Sequence, residues 1–175
     1  MNKAKKLLIT GSNGLIGSEM VRYFHDLGWK IHGMDNNMRA DFFGPQGDTR
    51  WNQQRLTTEL AGFEHHELDL RDRAGVLELV RTVRPDAVIH CAAVVSVLAS
   101  IDSPVGTVRI NVEGAVNLFE AMLACDVRRA IHISSEETYG EFRAPVVDED
   151  HPLAPVMFYG VTKVAGELIA DYYAK

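Results

Sequence analysis

The sequence predicts a doubly wound α/β domain with a parallel sheet, because short apolar runs alternate with segments of helical period along its 175 residues. Parallel strands need helices on both faces of the sheet, and this alternation supplies them. Five runs are predicted strands: 6–10, 30–34, 63–70, 86–93 and 129–135. Four segments are the clearest predicted helices: 15–27, 73–83, 104–124 and 158–174. We therefore expect one domain over residues 1–175.

The predicted strands are apolar runs such as KLLIT at 6–10, and the last helix shows its period most clearly. Its apolar side chains form one stripe: Val161, Val164, Ala165, Leu168, Ile169 and Tyr172. Two irregular stretches interrupt the alternation. Residues 36–60 form a long polar insert after the second strand, and residues 141–157, with three prolines, form a loop before the last helix.

The composition excludes several kinds of partner. A content of 46% hydrophobic and 24% charged residues is typical of a globular domain, and the net charge of -6 argues against a nucleic-acid or anionic-membrane surface. No run reaches the roughly 18 apolar residues of a membrane span, and no signal-peptide core is seen, so we expect a cytoplasmic location. Cys91 and Cys125 lack metal-ligand spacing, so we interpret both as small buried residues and predict no metal site.

Three glycines, Gly11, Gly14 and Gly17, lie between the first predicted strand and the first predicted helix. Glycine lets the backbone approach a pyrophosphate, and a helix N-terminus offers free N–H groups to the anion. A glycine triplet alone is a weak signal, but this strand-to-helix context strengthens it. We predict that the turn holds a dinucleotide, together with the residues between and beside the glycines: Asn13, Leu15 and Ile16.

Asp35 ends the second predicted strand, and its carboxylate can accept hydrogen bonds from both hydroxyls of an adenosine ribose. The same charge would repel a 2′-phosphate, so the pattern favours NAD over NADP, and Asn36 is assigned to the same site. Arg39 tempers that preference, since it could pair with a 2′-phosphate. As an alternative, Asp35 could cap a turn without any ligand.

Further cofactor contacts are expected at the ends of the third and fourth strands. Asp69 can meet the adenine amine, and Leu70 can cover the ring. Ala92 and Ala93 are small enough for a cofactor to lie across the carboxyl ends of the strands. His90 has no partner at ligand spacing, so we place it in the core.

A phenol and an ammonium lie one helical turn apart in YGVTK, residues 159–163. Tyr159 and Lys163 therefore point to the same side of the predicted helix, and the ammonium should lower the pKa of the phenol. Such a base can remove a proton from a hydroxyl as hydride leaves the same carbon. The loop ISSEETYG, residues 133–140, precedes them and offers hydroxyls and carboxylates, although such clusters are often only polar loops.

Together these motifs resemble the extended short-chain dehydrogenase/reductases of the NAD-dependent epimerase/dehydratase family, essentially from end to end. The resemblance implies a Rossmann-type fold, NAD as cofactor and a nucleotide sugar as substrate. It implies that Ser135 and Tyr159 contact the sugar hydroxyl and that Lys163 binds the nicotinamide ribose. Ser134, Tyr159 and Asn111 belong to the cofactor side as well, where Asn111 helps to hold the local backbone. The implied reaction passes through a transient 4-keto sugar.

Two carboxylates, Glu136 and Glu137, follow the catalytic serine. The family's simple 4-epimerases usually have small uncharged residues there, whereas its 4,6-dehydratases have an Asp-Glu pair. A 4-keto group acidifies the C5 proton, so one carboxylate could remove that proton while the other protonates a leaving hydroxyl. As an alternative, one glutamate points to solvent or hydrogen-bonds the loop. Epimerase is therefore the leading hypothesis, and dehydratase the second.

A second resemblance concerns residues 35–56, which are similar to the insert of CDP-paratose 2-epimerase-like proteins. Those proteins have an Asn-Lys pair in place of Glu136 and Glu137, and many relatives have a polar residue in place of Val94. The later segments therefore do not follow this resemblance. Neither the sugar nor the carbon that reacts is defined by the sequence.

The family continues beyond its catalytic helix with another strand, a loop over the nicotinamide and a region that grips the nucleotide of the substrate. We therefore expect this chain to be a fragment or a short member, with an unpaired edge at the fifth strand that a partner chain, as in a homodimer, would cover. Alone it should bind NAD weakly and turn over no sugar. A hypothesis of another class is a non-catalytic NAD-binding or interaction module.

Overall fold

A computed structural model of the chain describes residues 4–175 and contains one parallel five-stranded sheet. The strands are β1 (Lys6–Thr10), β2 (Lys30–Met34), β3 (Glu64–His66), β4 (Ala87–His90) and β5 (Ala130–His132). Their order across the sheet is β3-β2-β1-β4-β5, so the chain crosses over after β3. The predicted doubly wound α/β fold is confirmed.

Helices cover both faces of this sheet. They are α1 (Leu15–Asp26), α2 (Arg39–Phe43), α3 (Arg50–Glu59), α4 (Arg73–Val83), α5 (Val97–Asp102), α6 (Pro104–Val108), α7 (Gly114–Ala124) and α8 (Phe158–Ala174). Helix α8 agrees with the predicted boundaries at 158–174, and α4 with those at 73–83.

Alternating side chains of the strands divide the core into two layers. Leu7 and Ile9 of β1 pack with Val21 of α1 and Leu56 of α3. Leu8 lies on the other face, against buried residues of β2, α4 and α7: Met34, Val76, Val80 and Leu118. Burial of each such aliphatic side chain contributes about 1.5–3 kcal/mol. Because the strands are parallel and packed between these two layers, their carboxyl ends all lie at the same end of the sheet.

The polar insert at residues 36–60 was predicted to be irregular, but most of it is helical. It contains α2, a 3₁₀ turn at Gly44–Gly47, and α3. Helix α3 buries only Asn52 and Leu56, so the apolar period that identifies a helix is weak there. Its side-chain contacts to the rest of the domain stabilise it instead. The insert is therefore an ordered helical segment packed beside the sheet.

The predicted helix at 104–124 is interrupted. A π-helical turn at Arg109–Glu113 separates α6 from α7 and places Asn111 toward the inside of the domain. Such turns shift the face that a helix presents and are frequent at functional sites. The loop at 141–157 contains no helix or strand, as predicted.

Strands β3 and β5 are the edges of the sheet. Ile131 of β5 is 54% exposed, in agreement with the edge expected at the fifth strand. Within residues 4–175, every helix is too short or too polar to cross a membrane.

Candidate active site

A crevice of about 800 Å³ opens at the carboxyl ends of the strands. This is the place where open α/β sheets bind ligands. The crevice is lined by the glycine turn, the insert, the loop after β5 and the start of α8. Of the residues assigned to the cofactor from the sequence, all but one are part of this lining: Gly11, Asn13, Gly14, Leu15, Ile16, Gly17, Asp35, Asn36, Arg39, Asp69, Leu70, Ala92, Ala93, Ser134, Tyr159 and Lys163.

The glycine turn leaves no room for side chains at two of its positions. Gly11 has a φ of +69°, and a Cβ there would lie 2.8 Å from the backbone nitrogen of Ala92. A Cβ on Gly17 would lie 2.0 Å from the carbonyl oxygen of Gly11. The turn is held by a hydrogen bond that Gly11 N donates to Met34 O at 2.7 Å. Bare backbone therefore faces the crevice at the start of α1, which fits a bound pyrophosphate.

The carboxylate of Asp35 joins the glycine turn to the insert. Its Oδ2 accepts a hydrogen bond from Asn13 N at 3.1 Å, and its Oδ1 accepts one from Asn37 N at 2.8 Å. A carboxylate has about four lone-pair sites, so two remain for ribose hydroxyls. The side chain is thus oriented for such contacts before any ligand binds.

Asp69 follows β3, next to the end of β2 that carries Asp35, and its carboxylate is held by hydrogen bonds. Burial alone would raise the pKa of Asp69, but hydrogen bonds from Arg71 and Asn36 outweigh it and hold the pKa below its usual value. The group is therefore a carboxylate at neutral pH and can accept hydrogen bonds only. This suits the amine of adenine.

The insert supplies crevice residues that the sequence did not single out. Asn52 is 4% exposed and donates from Nδ2 to Asn13 O at 2.9 Å, which clamps α3 to the glycine turn. Arg55 donates to Asn52 Oδ1 at 3.0 Å and lies over the exposed ring of Trp51. Arg39, the one insert residue beyond Asn36 that the sequence does assign to the cofactor, lies 4.8 Å from the ring centroid of Phe43. The Arg-Trp composition of the segment was the only available signal.

Three groups meet at the other end of the crevice: Ser135, Tyr159 and Lys163. Tyr159 is 7% exposed and Lys163 is 5% exposed, although both line the crevice. Lys163 Nζ donates a hydrogen bond to the carbonyl oxygen of Ile133. Burial lowers the pKa of Lys163 to about 8. The helical spacing therefore brings phenol and ammonium to one side, as predicted.

The electrostatics of Tyr159 differ from the prediction. Burial raises the pKa of its phenol, the hydrogen bond with Ser135 lowers it, and the charges of Glu136 and Glu137 raise it again, so the net pKa is raised. The expected lowering by Lys163 is therefore wrong for the chain as it stands. The physical reason is that burial of the phenol disfavours the phenolate, and the two nearby carboxylates disfavour it further.

The two glutamates of the loop are not equivalent. Glu136 lines the crevice, and its Oε2 accepts a hydrogen bond from Ser135 Oγ at 3.2 Å. Glu137 lies outside the lining, and its backbone packs so closely on α8 that a Cβ at Gly160 would lie 2.4 Å from its carbonyl oxygen. Of the two, only Glu136 faces the crevice.

Asn111 is the one assigned cofactor residue that lies outside the lining. It accepts a hydrogen bond from Val94 N at 2.8 Å and donates to Thr162 Oγ1 at 3.0 Å. Its side chain is hydrogen-bonded to the backbone after β4 and to α8, and the π-helical turn places it there. The expected role in holding the local backbone fits this geometry.

The buried residues near the crevice also bear on the predictions. His90 is 2% exposed, with Nδ1 2.7 Å from Thr10 Oγ1, so its placement in the core is confirmed. Cys91 and Cys125 are only partly buried, and Cys91 lines the crevice, contrary to the expectation of two buried residues. Burial raises the pKa of Cys91 to about 11, so its sulfur is a neutral thiol.

Comparisons with known proteins agree with this geometry. The chain is 32% identical over 175 residues to a protein of Staphylococcus aureus (strain USA300) described as an uncharacterized epimerase/dehydratase, covering 98% of this chain and 49% of the relative. The UDP-Glc/GlcNAc 4-epimerase of Campylobacter jejuni superposes with a TM-score of 0.85 at 32% identity over 98% of this chain and 49% of that protein.

The UDP-glucose 4-epimerase of Thermus thermophilus, solved in complex with NAD, superposes with a TM-score of 0.81 at 30% identity. That match covers 96% of this chain and 50% of the Thermus protein. The chain thus spans about half the length of the curated relatives that it matches. Residues 7–175 match the NAD dependent epimerase/dehydratase family, and the chain belongs to that family.

Proposed function

We propose that this chain carries the cofactor site and the catalytic groups of an NAD-dependent nucleotide-sugar epimerase. The observation that supports this most is the meeting of Ser135, Tyr159 and Lys163 in the same crevice as the glycine turn. A binding site for the dinucleotide alone would not need a buried phenol and ammonium at its far end. Structural neighbours that act on UDP-glucose favour a UDP-sugar as substrate.

The residues that would hold NAD lie along the crevice. Backbone of the glycine turn would receive the pyrophosphate, Asp35 the adenosine ribose and Asp69 the adenine. Lys163 would move from the Ile133 carbonyl to the nicotinamide ribose, as the family resemblance implies. The chemistry that NAD would supply there is reversible hydride transfer with one carbon of the sugar.

Tyr159 would move the proton in this reaction, with Ser135 holding the sugar hydroxyl. Its raised pKa keeps the phenol protonated at pH 7, which suits donation to a carbonyl oxygen. Removal of a proton from the sugar needs the phenolate. We expect Lys163 to favour that form once its ammonium is no longer engaged by Ile133.

A 4,6-dehydratase is the second candidate, and the position of Glu136 is the observation that favours it. A carboxylate within 3.2 Å of the serine hydroxyl could remove the C5 proton of a 4-keto sugar. The dehydration also needs an acid for the leaving hydroxyl. Glu137 is not part of the crevice lining, so the paired arrangement is incomplete and epimerisation ranks first.

A product assay separates these functions. The protein, at the full length its gene encodes, is incubated with NAD and with UDP-, dTDP-, GDP- and CDP-sugars in parallel. An epimer without lasting keto product supports the epimerase, and an accumulating 4-keto-6-deoxy sugar supports the dehydratase. If NAD binds by calorimetry but no sugar reacts, the non-catalytic module is favoured and the proposal fails.

A further inference from the structure

A cluster of three ligating side chains lies at the sheet edge, on strands β2 and β3. His32 and Glu64 face each other in the parallel register, and His66 lies two residues beyond Glu64 on the same face. His32 Nδ1 is 3.1 Å from His66 Nε2 and 3.4 Å from Glu64 Oε2. One ligand atom from each residue lies within 4.8 Å of the others.

These distances match those between ligands that share one ion. Two ligands bound to zinc at about 2.0–2.1 Å with a tetrahedral angle are about 3.3 Å apart. Both distances from His32 Nδ1 are within a few tenths of an ångström of that value. The third distance, between His66 and Glu64, is at most 4.8 Å. The side chain of Glu64 is half-exposed, so it can rotate to shorten this distance.

The ring of His32 is buried, and its position relative to the other two side chains is set by the packing of β2 and β3. His32 is 4% exposed, and its other ring nitrogen, Nε2, is buried without a hydrogen-bond partner among residues 4–175. The ring therefore makes its polar contacts at Nδ1 alone. A neutral imidazole has one ring nitrogen with a free lone pair, and each of the two rings has a nitrogen within the cluster.

We propose that His32, Glu64 and His66 bind one divalent transition-metal ion, with Zn²⁺ the best match and with water from the exposed side as fourth ligand. Two imidazoles and one carboxylate suit zinc, whereas Mg²⁺ and Ca²⁺ prefer an all-oxygen shell. This site is outside the active-site crevice and was not foreseen from the sequence, where no metal ligand set was recognised. It is independent of the proposed epimerase activity.

The ion would tie the edge strand β3 to β2 next to the adenosine end of the crevice. Asp35 N donates to the carbonyl oxygen of His66, and Asp69 follows β3 by three residues. An ion shared by His32 and His66 would therefore fix the two neighbouring strand ends, of β2 and β3, from which Asp35 and Asp69 project. Lys30, whose Nζ is 2.6 Å from Glu64 Oε1, opposes the ion by charge but leaves Oε2 available.

The test uses protein without a histidine tag, freed of metal with a chelator and titrated with ZnCl₂ by calorimetry. We expect one Zn²⁺ per chain, a rise in melting temperature, and no comparable binding of Mg²⁺. Binding to Glu64→Gln and to His66→Gln should weaken by at least the roughly tenfold to hundredfold that loss of a group supporting a metal ligand costs. His65→Gln is the matched control, because His65 lies on the same strand, faces the other way and contacts Glu67.

Circular dichroism should show that each variant is folded. Because Glu64 is half-exposed, Glu64→Gln is less disruptive to folding than a change at a buried ligand. Anomalous X-ray scattering at the zinc edge should place the ion between His32 and His66. Absence of binding by the wild-type chain would overturn the proposal. So would equal affinity of wild type, Glu64→Gln and His66→Gln, or Mg²⁺ binding as tight as that of Zn²⁺.

Discussion

The two ends of the crevice are built differently. At the adenosine end, hydrogen bonds link the glycine turn, Asp35 and the insert, through Gly11 N to Met34 O at 2.7 Å and Asn52 Nδ2 to Asn13 O at 2.9 Å. At the catalytic end, the ammonium of Lys163 is engaged by Ile133 and the phenol of Tyr159 is protonated. The first end is ready for its ligand, whereas the second must rearrange to react. Binding and catalysis should therefore respond separately to mutation.

The largest expected effect is on catalysis. Tyr159→Phe removes the hydroxyl that we propose transfers the proton, so we expect turnover of the full-length protein to fall by about 10²–10⁴-fold. Affinity for NAD, measured by calorimetry, should stay unchanged because the adenosine end is intact. Tyr139→Phe is the control, since Tyr139 lies outside the crevice lining and packs on His151. A parallel loss of NAD affinity would show that the two ends are coupled.

The next effect concerns the rigidity of the glycine turn. Gly17→Ala would place a Cβ 2.0 Å from Gly11 O, so the backbone must shift, and we expect a loss of about 2–4 kcal/mol in the free energy of unfolding. Gly14→Ala is the matched control, because its Cβ would lie 3.4 Å from the same oxygen and should cost about 1 kcal/mol or less. Urea unfolding measures both, and equal losses would contradict a tightly packed turn.

A smaller effect is expected on cofactor choice. Asp35→Asn keeps the shape of the side chain but loses one acceptor oxygen and the charge, so NAD should bind about tenfold more weakly. NADP should lose less, because the repulsion of its 2′-phosphate is removed. Asp48→Asn removes the same charge from another crevice residue and is the control. If NADP binds the wild type more tightly than NAD, then Arg39 outweighs Asp35.

The smallest effect is a dependence of stability on pH at the catalytic end. Burial, together with the charge of Lys163, lowers the pKa of His132 to about 4. Between pH 6.5 and 4 the unfolded chain therefore binds a proton that the folded chain does not, so stability falls as the pH falls through this window. We expect His132→Gln to remove about 1 kcal/mol of that fall, measured by urea unfolding at about pH 7 and about pH 5. Identical pH slopes would contradict this.

The parts that sequence predicted best depend on local patterns. The five strands and the glycine turn follow from apolar runs and from spacing, and the fold was predicted correctly. Helix α3 was missed because it buries only Asn52 and Leu56, and its stability comes from contacts that sequence does not display. The difference between Glu136 and Glu137 was also not predictable, since it depends on how closely the loop packs on Gly160. The metal-ligand cluster joins residues of two strands whose register only the structure gives.

We propose that the 175-residue chain contains the complete adenosine end of the crevice. The most direct test is calorimetric titration of this chain with NAD and, separately, with ADP-ribose, which lacks the nicotinamide. The contacts that are already formed involve the pyrophosphate and adenosine side only. We therefore expect ADP-ribose to bind about as tightly as NAD, within about threefold, because the nicotinamide adds little net free energy to binding. Two results would contradict this account, in which the adenosine end is preformed and the catalytic end must rearrange. One is binding of NAD more than about tenfold tighter than that of ADP-ribose, and the other is binding of neither ligand.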